Sequence, residues 1–511
     1  MKNQGFILST LLLTIVNVLV RILGFLYRII LVRLIGAEGL GLFELVNPII
    51  MLIFTLVGSG VPVAVIRLTS QAVARERESD GFKAVEYILF VMIGISLLFW
   101  IGLVVLTPLI SKNILGDSRL STPLYIFGPT ILFASLAAVF RGYFYGTKNV
   151  IPPALSQLTE QFIRMSIVFA LLKLLYPINP IMAVSVSMTG TVIGEMMGMS
   201  LLAFLFNKTK TNGPPASKTS KLSFRKTLGS FFTIAIPITV SRIVNSILRV
   251  ITSIIIPIRL MISGLDKSTA LSYFGKVNGM AMPLLFLPFT FTSALVMNLV
   301  PRISESMEKS NGSLLHYYID KALHIAFVVA IPVCGMFLVF SDEIFLLLYD
   351  EGSGIYLAQL SIVVLFLCLY QITSSIMQGM GKEFISTIFY VGGMFLQLVL
   401  TYILVAQPDY QITGYILSTI ISFFIISFLN FSYVLYYTKT KFKFSKWVIT
   451  PTFATLCSLI FAIFSGQLLE SYLNKSLSVL LSLIFMVIIY LGILYFTKNL
   501  RDIFKKVDEK R

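Results

Sequence analysis

Residues 15–33, IVNVLVRILGFLYRIILVR, form an apolar stretch long enough to cross a bilayer, yet they carry Arg21 and Arg28. A spacing of seven residues is two turns of α-helix, so both guanidinium groups project from one helix face, about 10 Å apart along the axis. An arginine at the bilayer centre costs about 2.5 to 3.5 kcal/mol on insertion scales, so this face is expected to line a bundle interior or a water-filled cavity. The same spacing recurs at Arg242 and Arg249, which predicts a repeated cationic lining.

The composition predicts an integral membrane protein. Of 511 residues, 57% are hydrophobic and 12% are charged, and the mean hydropathy is +0.91. Backbone groups in lipid are satisfied only by helices or closed barrels, and the apolar runs are too long and uniform for barrel strands. A run of about 20 apolar residues crosses a hydrocarbon core of about 30 Å. About fourteen transmembrane helices are predicted, near 7–32, 41–66, 87–108, 122–140, 158–176, 182–206, 228–256, 272–300, 322–340, 355–380, 385–405, 412–437, 448–469 and 477–497. The short gaps at 177–180 and 382–383 each leave a merged pair of spans as an alternative.

The distribution of charge predicts the orientation of these spans. Lysine and arginine accumulate on the cytoplasmic side of a membrane, and they cluster here in alternate loops, while the acidic loop at 341–354 has no basic residue. Both termini are therefore predicted in the cytoplasm. Lys2 is followed by an apolar run longer than a signal core, so the first span is expected to remain as an anchor. The net charge of +17 is interpreted as attraction to anionic membrane lipids, and no nucleic-acid partner is expected.

The basic stretch NKTKTNGPPASKTSK at 207–221 predicts a solvated linker between two halves. Six predicted spans precede it, so the next six begin in the same orientation and form a parallel pseudo-repeat. Pro48 with Arg67 and Pro283 with Arg302 share a spacing of nineteen residues, in agreement with this repeat. The predicted organisation is an N-terminal six-helix lobe at 1–206, a cytoplasmic linker at 207–227, a C-terminal six-helix lobe at 228–437, and appended helices 13 and 14 with a basic tail at 438–511.

Predicted spans two and eight are both interrupted by proline and glycine. The interruptions are Pro48, Gly58, Gly60 and Pro62 in one span and Gly279, Pro283 and Pro288 in the other. Breaks at corresponding positions of two halves indicate a binding site near the midplane and helices that bend during transport. The alternative is that membrane helices simply tolerate these residues. The four prolines are the predicted hinge positions.

Five basic side chains are predicted on the central faces of spans one, seven and eight: Arg21, Arg28, Arg242, Arg249 and Lys276. Three acidic residues within the spans oppose them. Glu160 precedes Arg164 by four residues, the favourable order for a helical ion pair, so it is expected to be structural. Glu44 can balance an arginine of span one, Asn47 can line the same space, and Glu195 has no evident partner.

A cavity with this excess of positive charge suits an anion. Arginine in particular suits phosphate, because its planar guanidinium forms bidentate, charge-assisted hydrogen bonds. The alternative is that the arginines only pair with acids or helix C-termini and hold the bundle together.

Motifs of catalysis are absent from the sequence. It has no phosphate-binding glycine loop ending in lysine and serine or threonine, no HExxH and no CxxC. His316 and His324 are expected at the surface, without the cysteine or carboxylate partners of a metal site. We therefore expect no catalytic residue, no metal and no cofactor, and interpret the chain as a transporter.

Four stretches carry a family resemblance: RILGFLYRI at 21–29, LIGAEGLGLF at 34–43, RGYFYGTKNVIPPALSQLTEQFIRM at 141–165 and QGMGK at 378–382. They resemble the stage V sporulation protein B and polysaccharide-flippase branch of the multidrug/oligosaccharidyl-lipid/polysaccharide (MOP) exporter superfamily. The resemblance implies two lobes around a central cavity, alternating access, and export of a lipid-linked glycan precursor across the bacterial cytoplasmic (inner) membrane. Spans thirteen and fourteen resemble those of the lipid II flippases, where they help to form a groove for the polyprenyl tail. The resemblance places cationic cavity positions on Arg21, Arg28 and Lys276 and an acidic one near Glu44.

The sequence thus predicts an alternating-access flippase whose cationic cavity binds the diphosphate of a polyprenyl-linked glycan. Lipid II or a related cell-wall or spore-cortex intermediate is the expected substrate, and cell-wall synthesis proteins are candidate partners. One alternative is an antiporter of cations or drugs, which needs more acids in its lobes. The other is a non-transporting scaffold for wall-synthesis or sporulation enzymes, which has no use for buried arginines.

The driving force is predicted from charge. A diphosphate carries about two negative charges, so an inside-negative potential favours its export by about 4.6 kcal/mol per 100 mV. Coupling to protons or sodium is the alternative, and it makes Glu44 and Glu195 the residues to test.

Overall fold

The computed structural model describes residues 2–212, 223–309 and 312–499. Every regular element in these ranges is helical. The α-helices are α1 (Lys2–Gly58), α2 (Val61–Ala74), α3 (Glu78–Leu109), α4 (Ser121–Phe127), α5 (Thr130–Gly146), α6 (Ile151–Leu174), α7 (Pro180–Asn212), α8 (Phe224–Ile262), α9 (Lys267–Phe274), α10 (Met282–Leu285), α11 (Pro288–Glu308), α12 (Gly312–Val339), α13 (Ser341–Tyr349), α14 (Ile355–Gly379), α15 (Glu383–Leu404), α16 (Gln411–Thr438), α17 (Thr450–Glu470) and α18 (Lys475–Phe496).

Eleven helical stretches within the described ranges are long and apolar enough to cross a membrane, judged by length and composition. The predicted all-α membrane fold is therefore confirmed. The count of fourteen spans stays a prediction. Part of the predicted linker, 213–222, and most of the predicted tail, 500–511, lie outside the described residues.

α1 contains two limbs, 2–35 and 37–58, that meet at Gly36. The φ of Gly36 is +67°, a conformation that glycine adopts without a steric penalty. The second limb continues through Pro48 to Gly58, whereas Pro62 lies in the first turn of α2, where proline is tolerated. The predicted interruption near Pro62 is thus a helix boundary, while Pro48 does not end its helix.

The predicted eighth span is divided into short segments. α9 is followed by a π-helical segment, Gly275–Ala281, and then by α10 and α11. Pro283 lies in the first turn of α10 and Pro288 begins α11. Proline lacks an N–H group and cannot extend the hydrogen-bond ladder of the preceding turn, so both residues are compatible with a helix start at these positions. Bending at these positions during transport stays a prediction.

The helices group into two compact units. Unit 1 contains Met1–Pro257 and Lys267–Gly275, and unit 2 contains Ile258–Asp266 and Lys276–Arg511. Unit 1 therefore takes α1 to α7, most of α8 and all of α9, while α17 and α18 belong to unit 2. The lobes predicted at 1–206, 228–437 and 438–511 stay predictions.

Small residues allow α6 and α7 of unit 1 to pack closely. A Cβ atom at Gly194 of α7 would lie only 2.9 Å from the carbonyl oxygen of Glu160 on α6. One turn further along α7, the carbonyl of Gly198 accepts a hydrogen bond from the Ser156 hydroxyl at 3.0 Å. Such close backbone approach is typical of helix pairs in membranes, and it fixes which side chains of α6 and α7 meet.

In unit 2, the fully buried Trp447 joins the appended helix pair to α12. Its indole Nε1 donates to Oδ1 of Asp320 at 3.1 Å, and Lys443 Nζ lies 3.1 Å from Oδ2 of the same carboxylate. His324, one turn further along α12, is buried and its Nε2 contacts Oδ1 of Asn499. The expectation that His324 is a surface residue is therefore wrong, because the chain that follows α18 covers it.

Candidate anion-binding site

The site begins with an ion pair between Arg28 and Glu44, one from each limb of α1. The guanidinium Nη2 of Arg28 donates to Oε1 of Glu44, and the side chain of Asn47 also hydrogen-bonds to Glu44. Arg28 keeps 23% of its side chain exposed and Glu44 11%. The predicted pairing of Glu44 with an arginine of the first span is therefore confirmed. Asn47, one turn from Glu44, faces the same carboxylate.

Arg21 lies two turns before Arg28 on the same limb, and its side chain is exposed. None of the ion pairs found within residues 2–212, 223–309 and 312–499 involves Arg21, Arg242 or Arg249. The positive charge of these three side chains is therefore not neutralised by a carboxylate of the described chain.

α8 carries the second pair of arginines and contacts the end of the second limb of α1. The hydroxyl oxygens of Thr55 and Ser246 lie 3.0 Å apart, and Arg242 Nη1 donates to the Ser59 carbonyl at 3.4 Å. A Cβ atom at Gly60 would lie 2.2 Å from the carbonyl oxygen of Ala235, so only glycine allows the two backbones to approach this closely. Unit 1 thus brings Arg242 against the end of α1.

Lys276 has a different environment from the arginines. It lies in the π-helical segment of unit 2, and its Nζ is 3.4 Å from Oε2 of Glu351. Glu351 follows α13, in the acidic segment 341–354 that the sequence predicts as a loop. The charge of Lys276 is therefore partly balanced, and this residue is a weaker anion-binding candidate than Arg21 or Arg249.

A second ionic cluster lies where α5, α6 and α7 meet. Glu160 accepts hydrogen bonds from Arg164 at 2.6 Å and from Arg141 at 2.9 Å, which confirms the predicted pair of Glu160 with Arg164. Glu195 of α7 faces the same three side chains. The sequence analysis found no role for Arg141 and no partner for Glu195. No local pattern identifies them, since nineteen residues separate Arg141 from Glu160 and thirty-five separate Glu160 from Glu195.

A third ionic group lies in a loop of unit 1, between α3 and α4. The carboxylate of Asp117 lies 2.8 Å from Arg119 Nη2 and 2.9 Å from Lys267 Nζ. Although burial opposes ionisation of Asp117, hydrogen bonds from these two cations hold its pKa well below the ordinary value. A cavity of about 580 Å³ opens beside this group, lined partly by Glu38, Arg119 and Asn179. It is of mixed charge, and it is a weaker place for a diphosphate than the arginines of α1 and α8.

Comparisons with known proteins agree with this architecture. The family model described as "Polysaccharide biosynthesis protein" matches residues 7–307. The chain is 26% identical to stage V sporulation protein B of Bacillus subtilis (strain 168), over 90% of this chain and 89% of that protein. It is 24% identical to the lipid II flippase MurJ of the same organism, over 82% of each. A solved structure of the lipid II flippase MurJ in an inward closed conformation matches with a TM-score of 0.68 and 18% identity, covering 97% of this chain and 100% of that chain.

The helical, multi-pass membrane fold is similar to that of a solved MATE family transporter of the MOP superfamily, with a TM-score of 0.65 and 15% identity, as the resemblance predicted. The chain belongs to the polysaccharide biosynthesis protein family, whose model matches more than half of its length. Its relatives include MurJ, which is named a lipid II flippase, and stage V sporulation protein B.

Proposed function

We propose that the chain exports a polyprenyl-diphosphate-linked glycan across the bacterial cytoplasmic membrane, by alternating access between two six-helix lobes with both termini in the cytoplasm. The observation that carries this proposal is the uncompensated charge of Arg21 and Arg249, which stand in apolar helices without a carboxylate partner in the described chain. A membrane protein retains such costly groups where they serve a substrate path.

The chemistry of the arginines supports a diphosphate as the group that is bound. A guanidinium presents a planar fork of donors that matches two phosphate oxygens, and it stays charged under all physiological conditions. Glu44 orients Arg28 while leaving part of its side chain exposed. Arg21, Arg28, Arg242 and Arg249 are thus the proposed diphosphate ligands, with Lys276, Glu44 and Asn47 as further cavity residues.

The names of the relatives support the class of substrate. MurJ is named for lipid II, and stage V sporulation protein B for sporulation. Lipid II or a related cell-wall or spore-cortex intermediate is the proposed cargo. Anionic lipids next to the basic loops and cell-wall synthesis proteins are the proposed partners.

The test is a flipping assay in proteoliposomes with several polyprenyl-diphosphate glycans. Arg21→Ala and Arg28→Ala are expected to abolish transport without loss of insertion, and Arg21→Lys to restore it only partly, because lysine lacks the planar fork. Arg259→Ala is the matched control on α8, since the Arg259 guanidinium lies over the ring of Tyr402, 4.0 Å from its centroid. Full activity of the double variant Arg21→Ala/Arg28→Ala would show that the diphosphate site lies elsewhere.

A further inference from the structure

The cluster of Arg141, Glu160, Arg164 and Glu195 is not used by the proposed diphosphate site. Both carboxylate oxygens of Glu160 are occupied, Oε1 by Arg164 and Oε2 by Arg141. Glu195 is 7% exposed, and its Oε2 atom is buried without a hydrogen-bond partner in the described residues. The cluster therefore contains one satisfied carboxylate and one carboxyl group with an unoccupied oxygen.

The packing of α7 places Glu195 in this position. Gly194 and Gly198 bring the backbone of α7 against Glu160 and Ser156 of α6, so the side chain of Glu195 lies beside the Glu160 carboxylate, within hydrogen-bonding reach. Glu195 cannot withdraw into water, because it is buried. The contact between α6 and α7, and not the flexibility of the Glu195 side chain, determines which groups surround Glu195.

The burial of Glu195 and the neighbouring Glu160 carboxylate favour a bound proton, against the field of Arg141 and Arg164. An ionised Glu195 would leave a charged oxygen buried without a donor, which is costly in a low-dielectric environment. A protonated Glu195 has an O–H group that can donate to the carboxylate of Glu160. With Glu195 protonated, the cluster of two arginines and one carboxylate has a net charge of +1, and loss of the proton makes it neutral.

The same cluster is connected to the candidate anion site through Tyr27. The ring of Tyr27 lies 6.4 Å from that of Phe169 on α6, and its hydroxyl faces Ser187 of α7 in the field of both Arg164 and Arg28. The titratable or charged groups facing this region are Tyr27 and Arg28 from α1, Arg141 and Tyr145 from α5, Glu160 and Arg164 from α6, and Glu195 from α7. A change of one charge at Glu195 therefore acts on Arg164. Tyr27 lies between Arg164 and Arg28, so the change can extend to the ion pair of Arg28 with Glu44.

We propose that Glu195, together with Glu160 between Arg141 and Arg164, is a proton-binding site of unit 1, and that its occupancy controls the diphosphate site through Tyr27. This inference rests on the proposed function for its effect on transport. The binding of the proton itself does not depend on that function.

Proton binding is tested without any substrate, by difference infrared spectroscopy of the full chain in lipid. Spectra are compared between about pH 4 and about pH 9, because the pKa values of exposed and fully buried glutamic acids in proteins span this range. The wild type is expected to show a C=O stretching band of a protonated carboxyl that disappears at high pH. Glu195→Gln should lack this band, and Glu195→Asp should retain it at a shifted frequency. Glu86→Gln is the control, because Glu86 is exposed and paired with Lys210 at the surface. A band that persists unchanged in both Glu195 variants would overturn the proposal.

Control of transport is tested by flipping rates at equal pH on both sides of proteoliposomes. The wild-type rate is expected to change about tenfold with pH, a usual size for coupling between two sites, and Glu195→Gln should hold it at the value of the protonated state. Tyr27→Phe should keep the infrared band and lose the pH response. A full pH response in Tyr27→Phe would refute the link through Tyr27. If no polyprenyl-diphosphate glycan is flipped at any pH, the proposed function fails, while the infrared titration still decides the proton site.

Discussion

Removal of the negative charge of Glu44 is expected to destabilise the protein substantially, because the largely buried Arg28 would keep its charge and lose the carboxylate that its Nη2 contacts. Two unit charges about 4 Å apart interact by about 4 kcal/mol at an effective dielectric constant of 20. Arg28 keeps 23% of its side chain exposed, so water recovers part of that interaction. We therefore expect Glu44→Gln to lower the free energy of unfolding by about 2 to 3 kcal/mol, somewhat less than the 3 to 5 kcal/mol usual for a fully buried pair.

A double-mutant cycle separates the pair from the effect of each side chain alone. Because Arg28→Gln/Glu44→Gln removes both charges, it should be about 2 kcal/mol less destabilised than the sum of the single variants, which is a factor of about thirty in the unfolding equilibrium. The measurement is equilibrium unfolding of the purified protein in detergent micelles. The control cycle uses Lys210 and Glu86, whose side chains are 48% and 43% exposed and should couple by at most about 1 kcal/mol. Additivity at Arg28 and Glu44 within about 0.5 kcal/mol would refute the reasoning.

Three further predictions concern packing, the ionic group of Asp117 and the driving force. A Cβ atom at Gly41 would lie 2.1 Å from the Leu271 carbonyl oxygen, so Gly41→Ala should lower the free energy of unfolding by about 1 to 3 kcal/mol. A Cβ atom at Gly94 would have no atom within 4 Å, so the control variant Gly94→Ala should raise this free energy by up to about 1 kcal/mol. Equal melting temperatures of the two variants would contradict this. Because the pKa of Asp117 is lowered, its ionised form stabilises the fold above about pH 4, and this contribution is lost as pH falls through the folded-state pKa. Asp117→Asn should therefore have a lower melting temperature than the wild type at neutral pH, and the difference should shrink in acid. Flipping should accelerate under an inside-negative potassium diffusion potential at equal pH and sodium, and a rate that ignores the potential but follows an ion gradient would contradict this.

Local sequence patterns predicted the helices and the short-range pairs. Apolar runs predicted the all-helical membrane fold, and the spacing of four residues predicted the ion pair of Glu160 with Arg164. The pairing of Glu44 with an arginine of span one was also predicted, and in the structure the bend at Gly36 brings the two limbs of α1 together so that this arginine is Arg28. In each case the partners are close in sequence, so the geometry of one helix or one helical hairpin determines the contact.

Contacts between distant helices were not predictable in the same way. Glu195 lies near Glu160 where the glycines of α7 pack against α6, and the buried His324 contacts Asn499, 175 residues away. Apolar periodicity specifies which residues avoid lipid or water, but it does not specify which helix covers them. The register between α6 and α7 determines which groups surround Glu195, and this register cannot be derived from a single sequence.

Membrane potential and proton binding can act on the same transport cycle without being the same force. The potential acts on the charge that crosses the membrane, about two units for a diphosphate. The proposed proton site acts on the arginines that hold this charge, by adding one unit beside Arg164 and, through Tyr27, near Arg28. Because a glutamine at position 195 removes the second effect and leaves the first, a variant with an intact response to potential and no response to pH would assign the two effects to different residues. Loss of both responses together would instead mean that Glu195 is required for the charge movement itself, and that protons and diphosphate share one path through unit 1.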